Sequence, residues 1–159
     1  MKRLGLVRTL KGTIIFLAAM VAFFYIVVFP DKIQVLGEQE VNGGLAWLVT
    51  PGIAAVSISA IPIAIALVLF WQICTEIGRD NSFCHKNAGR LTGIGFCALI
   101  DTGYCAVGTV TLEILVGSPI WVLGLMVCTV GLAIALAAFL LSHLVLKAAD
   151  LKSENDLTI

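Results

Sequence analysis

Three side chains capable of chemistry recur at one spacing inside a strongly apolar stretch. In "FCALIDTGYCAVGTVTLEIL", Cys97, Asp101 and Cys105 stand four residues apart, and Thr109 follows a further four residues on. On a helix this spacing lays them along one slowly turning stripe. A carboxyl group inside a membrane span costs about 2.5–3.5 kcal/mol and normally faces a bundle interior or a water-filled cavity. Asp101 therefore needs a proton or a partner, and Ser57, Ser59 and Thr129 are hydroxyls that other helices would bring within reach. Three roles are open to it: a hydrogen-bonded structural acid, a proton or ion relay, or a metal ligand. Glu113 lies near the end of the same stretch and is expected to reach the membrane rim.

The five cysteines, Cys74, Cys84, Cys97, Cys105 and Cys128, are an odd number, and none lies in the loop between the first two spans. That excludes a disulfide framework and the chemistry of a four-helix thiol oxidase, and it favours free thiols packed as small hydrophobes. Cys84 and His85 are adjacent, so on a helix they point about 100° apart and do not form a ready-made ligand pair. No compact set of thiolates and imidazoles appears, so no metal or other cofactor is expected. His85 and His143 read as interfacial or packed side chains. The metalloprotease, nucleophile-elbow, P-loop and dinucleotide motifs are all missing, and a non-enzymatic protein is expected.

The elements that must position the stripe follow from composition. Of the 159 residues, 60% are hydrophobic and 13% charged, against a soluble norm of roughly 45–50% and about 25%. A membrane-spanning helix needs about 20 mainly apolar residues, and bare backbone crosses hydrocarbon only as a helix or a closed barrel. Nearly charge-free runs predict four spans, at 12–30, 51–74, 91–116 and 119–146. The fold class expected is all-α: one integral-membrane four-helix bundle covering 1–159, with a loop at 75–90 and a tail at 147–159. The first run lacks a convincing small-x-small cleavage site and is expected to remain as a helix. Pro62, in the middle of the second span, is expected to kink it.

Charge placement predicts orientation. Nine of the ten Lys and Arg residues lie in the N-terminal segment, the middle loop and the tail; only Lys32 lies between the first two spans. By the positive-inside rule both termini and the middle loop are expected to be cytoplasmic, in a bacterial plasma membrane. Trp47 and Trp121 would then mark the outer interface and Trp71 the inner one. Net charge is zero and the basic residues belong to topology, so direct nucleic-acid binding is not expected. Gly78 reads as a helix stop, and Asn81 or Ser82 as the cap of a helix that opens near Phe83 and runs into the third span. That helix would carry Lys86 and Arg90 on one side, a basic face beside the membrane.

The chain closes with "LKAADLKSENDLTI", an amphipathic exit from the last span followed by a small acidic tail. With the loop "GRDNSFCHKNAGRLTGIG" and the four-span layout, this closing segment resembles the small bacterial four-helix membrane proteins catalogued as domain of unknown function 2975. Similar members show a Gly-x-x-Phe segment followed by Asn and an Arg-Leu step. Here Gly78 to Phe83 with a longer spacer, then Asn87, Arg90 and Leu91, match it. The resemblance implies a membrane partner of a small Cro-like helix-turn-helix regulator, since such proteins are commonly encoded together.

It assigns docking to Phe83, Asn87 and Arg90 in the loop and to Glu154, Asn155, Asp156, Leu157, Thr158 and Ile159 in the tail. A short acidic peptide beside a basic loop would complement a basic DNA-binding domain and occupy its phosphate-binding surface. Membrane lipids and a second copy of the chain are the other expected partners. The competing expectation is a small oligomeric transporter or channel subunit that uses Asp101 as its proton-linked or ion-linked acid.

Overall fold

The computed structural model describes residues 2–28, 30–31, 46–79, 83–116 and 121–156. Helix α1 runs Lys2–Phe23 and continues as a π-helical segment over Phe24–Val28. Helix α2 is Ala46–Gly78, α3 is His85–Val116 and α4 is Trp121–Asp156. Each contains a stretch long and apolar enough to cross a membrane: Val7–Val28, Ile53–Gly78, His85–Ile114 and Trp121–Asn155. No strand occurs among the described residues.

The helices outlast the expected spans. Bilayer thickness sets the minimum apolar length, whereas helix length is set by where the backbone is stopped. The polar residues Thr75 and Glu76 carry α2 on to Gly78, and α3 opens at His85, so most of the expected 75–90 loop is helical. The Cys84 carbonyl accepts from the Asn87 and Ala88 amides at 3.0 and 3.2 Å, closing the first turn of α3. In α2 the helical hydrogen-bond pattern runs on through Pro62, and in the first helix the winding changes to π-helical at Phe24–Val28. The segment between α1 and α2, the caps at Asn81 or Ser82, and the tail positions Leu157, Thr158 and Ile159 lie outside the described residues. So do the side chains of Trp47 and Asp156.

Packing runs in chain order, with α1 on α2, α2 on α3 and the most extensive contact between α3 and α4. That last seam is built from small side chains: Ala88, Ala135, Ala138 and Ala149 are buried. Gly124 and Gly131, seven residues apart, lie against Thr109 and Thr102, where an added Cβ would collide with the threonine side chains. Absence of a side chain there lets the two backbones approach, as membrane helices require when lipid gives no hydrophobic drive to association. Phe139 closes the seam on Gly95 and meets Phe96 edge to face at 5.3 Å. Large apolar residues such as Phe16, Ile61, Ile100 and Leu140 point outward. Small residues inside and large ones outside suit a bundle whose surroundings are hydrocarbon.

Candidate functional site

The Cys97, Asp101 and Cys105 stripe of α3 faces a partly open cleft of about 520 Å³ in the apolar body of the bundle. Helical spacing makes the opposite wall as well, because Pro62, Ala66 and Phe70 recur every four residues along α2. Helix α4 adds Val130, Gly131 and Ile134, and α1 adds Leu17. No lysine or arginine among the described residues lines the cleft.

The hydroxyls expected to serve Asp101 are engaged elsewhere. Ser57 donates to the Ile53 carbonyl at 2.8 Å and Thr129 to the Leu125 carbonyl at 2.8 Å. Ser59 is 2.8 Å from both the Tyr25 hydroxyl and the Val56 carbonyl. The one bond across the bundle among these three, that of Ser59, goes to Tyr25 rather than to Asp101, and serine and threonine in a helix readily bond the preceding turn. Thr102, next to Asp101, does the same with Ala98 at 2.6 Å. Oδ1 of Asp101 is enclosed and has no hydrogen-bond partner among the described residues. Glu113 is half-buried rather than reaching freely to the rim, and its Oε2 is likewise enclosed without a partner.

All five cysteines are free thiols. Among the described residues no group of three or more His, Cys, Asp or Glu side chains is placed to hold a metal ion.

A second cluster occupies the end of the bundle where α2 stops and α3 begins. Here the structure turns two of the proposed docking residues inward. Arg90 donates from Nε to Gln72 Oε1 and from Nη1 to Asn87 Oδ1, both at 3.0 Å, and lies 3.8 Å from Glu76 Oε1. Asn87 is only 1% exposed. Arg90 thus ties the last turns of α2 to the first turn of α3, and the expected basic face keeps Lys86 but not Arg90 as an outward group.

Two further polar contacts lie at this end. Lys11 of α1 stands 5.0 Å over the Trp71 ring of α2, and His85 of α3 meets Asp150 of α4 at 2.9 Å. A deeper tie joins Thr92 to Ser142, whose hydroxyl donates to the Ala88 carbonyl at 2.7 Å. Reading one helix at a time missed the partners Gln72 and Glu76, although their four-residue spacing on α2 was the available signal.

Phe83 is 55% exposed beside this cluster. Because Asp150 pairs with the first residue of α3, the Leu151–Asp156 segment of α4 continues past that level by about 9 Å at 1.5 Å per residue. Leu151, Lys152, Ser153, Glu154 and Asn155 are all exposed along it. The described tail residues Glu154 and Asn155 therefore share one end of the molecule with Phe83, and Cys97, Asp101 and Cys105 line a separate cleft.

The family profile described as "Protein of unknown function (DUF2975)" matches residues 33–159. The chain is also 31% identical over 106 residues to the uncharacterised membrane protein YoaS of Bacillus subtilis (strain 168). That similarity covers 64% of this chain and 66% of the relative, just under two thirds of its length. No solved structure matches.

Proposed function

This chain belongs to the DUF2975 family of multi-pass membrane proteins, and from that premise we propose that it is a non-enzymatic docking partner for a cytoplasmic regulator. The observation that carries this reading is the exposed end of α4, which continues beyond its tie to α3. The positive-inside rule, applied to nine of the ten basic residues, supports a cytoplasmic position for that end in a bacterial plasma membrane. The regulator is a small helix-turn-helix protein. Its basic DNA-contacting face would meet Glu154, with Leu151 and Phe83 offering apolar contact at the same end. Binding there would keep the regulator from DNA by covering the groups that neutralise phosphates. Asn87 and Arg90 serve this surface by fixing α2 and α3 beneath it.

The test is recovery of bound proteins from native membranes in mild detergent, using the full chain and a chain truncated after Ser153 at matched abundance. A helix-turn-helix protein held by the full chain and lost on truncation is the expected result. Equal recovery from both would remove the docking role. A second reading, a small transporter or channel subunit, is favoured by one separate observation: the cleft that contains Asp101.

A further inference from the structure

Among the described residues, Asp101 is a carboxyl group with one oxygen enclosed and unpartnered, in a cleft whose walls come from all four helices and carry no basic side chain. The walls include Leu17, Pro62, Phe70, Val130 and Ile134, so they present hydrocarbon to whatever enters. The volume of about 520 Å³ falls in the range of roughly 300–1,000 Å³ that binds small organic molecules. We propose that this cleft is a binding site for a lipophilic organic cation, a quaternary or primary ammonium carrying an apolar chain. Its charged head would sit at the Asp101 carboxylate and its hydrocarbon would lie between α2 and α4.

Charge and shape together select this class. A carboxylate in hydrocarbon is stabilised most by an opposite charge at short range, and no protein group supplies one here. A hydrated inorganic cation would have to exchange its water for several oxygen ligands, and among the described residues no group of three or more His, Cys, Asp or Glu side chains offers them. Lipid acyl chains fit the walls but leave the carboxylate unpaired. An amphiphilic ammonium satisfies both parts, and the bilayer concentrates it beside the partly open cleft. The site goes beyond the docking reading. It deepens the transport reading by naming a substrate class, and it rests on that reading only for whether the bound cation moves.

The experiment uses the full chain in lipid nanodiscs with two photoreactive probes of equal chain length, an alkyltrimethylammonium and the corresponding uncharged alcohol. Labelled peptides are mapped by mass spectrometry. The ammonium probe is expected to label the α3 and α4 walls about thirtyfold more tightly than the alcohol, the lower end of what losing one partner of a buried charge pair costs. Asp101→Asn should bring the ammonium probe down to the alcohol's level, while Asp101→Glu should retain most of the preference. Ala66→Phe, which fills the cleft without touching the charge, should reduce labelling by both probes.

Equal labelling by the two probes, or a preference that survives Asp101→Asn, would overturn the site and leave a cleft occupied by acyl chains or a neutral acid. Labelling spread evenly over the outward-facing helix surfaces would overturn it too. Binding as expected with no uptake into proteoliposomes would remove the transport reading alone.

Discussion

The cleft at Asp101 and the polar end of the bundle treat charge in opposite ways. At the polar end, Arg90 is held by Gln72, Asn87 and Glu76, His85 by Asp150, and Lys11 stands over Trp71. In the cleft a carboxylate oxygen meets none of these provisions. The first arrangement holds helices together. The second encloses an acid with no structural partner for that oxygen among the described residues, an arrangement that costs stability.

Substitutions sharpen the contrast. The largest effect is expected where the wall of the cleft is also the seam between α3 and α4. Gly131→Val drives a side chain into Thr102 and should lower bundle stability by about 3 kcal/mol, read from unfolding in mixed detergent micelles. The same unfolding assay should show Asp101→Leu raising stability by about 2.5 kcal/mol, because an uncompensated acid leaves the apolar interior. A loss of stability in that variant would break the comparison by giving Asp101 a structural partner.

Arg90→Ala comes next. It removes the charge-assisted hydrogen bonds to Gln72 and Asn87 that join α2 to α3, and about 1.5 kcal/mol should be lost, with faster hydrogen exchange in the last turn of α2. His85→Ala removes an exposed pair, so a change of at most about 0.5 kcal/mol is expected. A large effect there would mean that the end of α4 is clamped more firmly than an exposed contact allows.

Much of the architecture was legible in the sequence because hydrocarbon imposes a simple demand. Four long apolar runs had to be helices, and the four-residue spacing of Cys97, Asp101 and Cys105 did bring them to one cleft. Helix ends were less legible. Hydropathy registers the thickness of the bilayer and is blind to a helix that continues past it, as α2 does to Gly78 and α4 to Asp156. The surroundings of Asp101 were misjudged for a local reason: Ser57, Ser59 and Thr129 each bond a carbonyl one turn back. Arg90 reads as an outward cation when only its own helix is considered. Its inward turn depends on Gln72 and Glu76, and the packing that presents them is not written in the spacing of either helix alone.

The glycines of α4 have an effect far from where they sit. Gly124 and Gly131 seat that helix against Thr109 and Thr102, and their seven-residue separation places both on nearly one azimuth. A rigid rod held at such a pair cannot roll about its own axis without threading a threonine side chain into its backbone. The compass bearing of Leu151 and Glu154, about 30 Å further along at 1.5 Å per residue, is therefore set by two positions that bear no side chain. Rotating the contact by one residue would swing the exposed end through about 100° and aim it at a different neighbour.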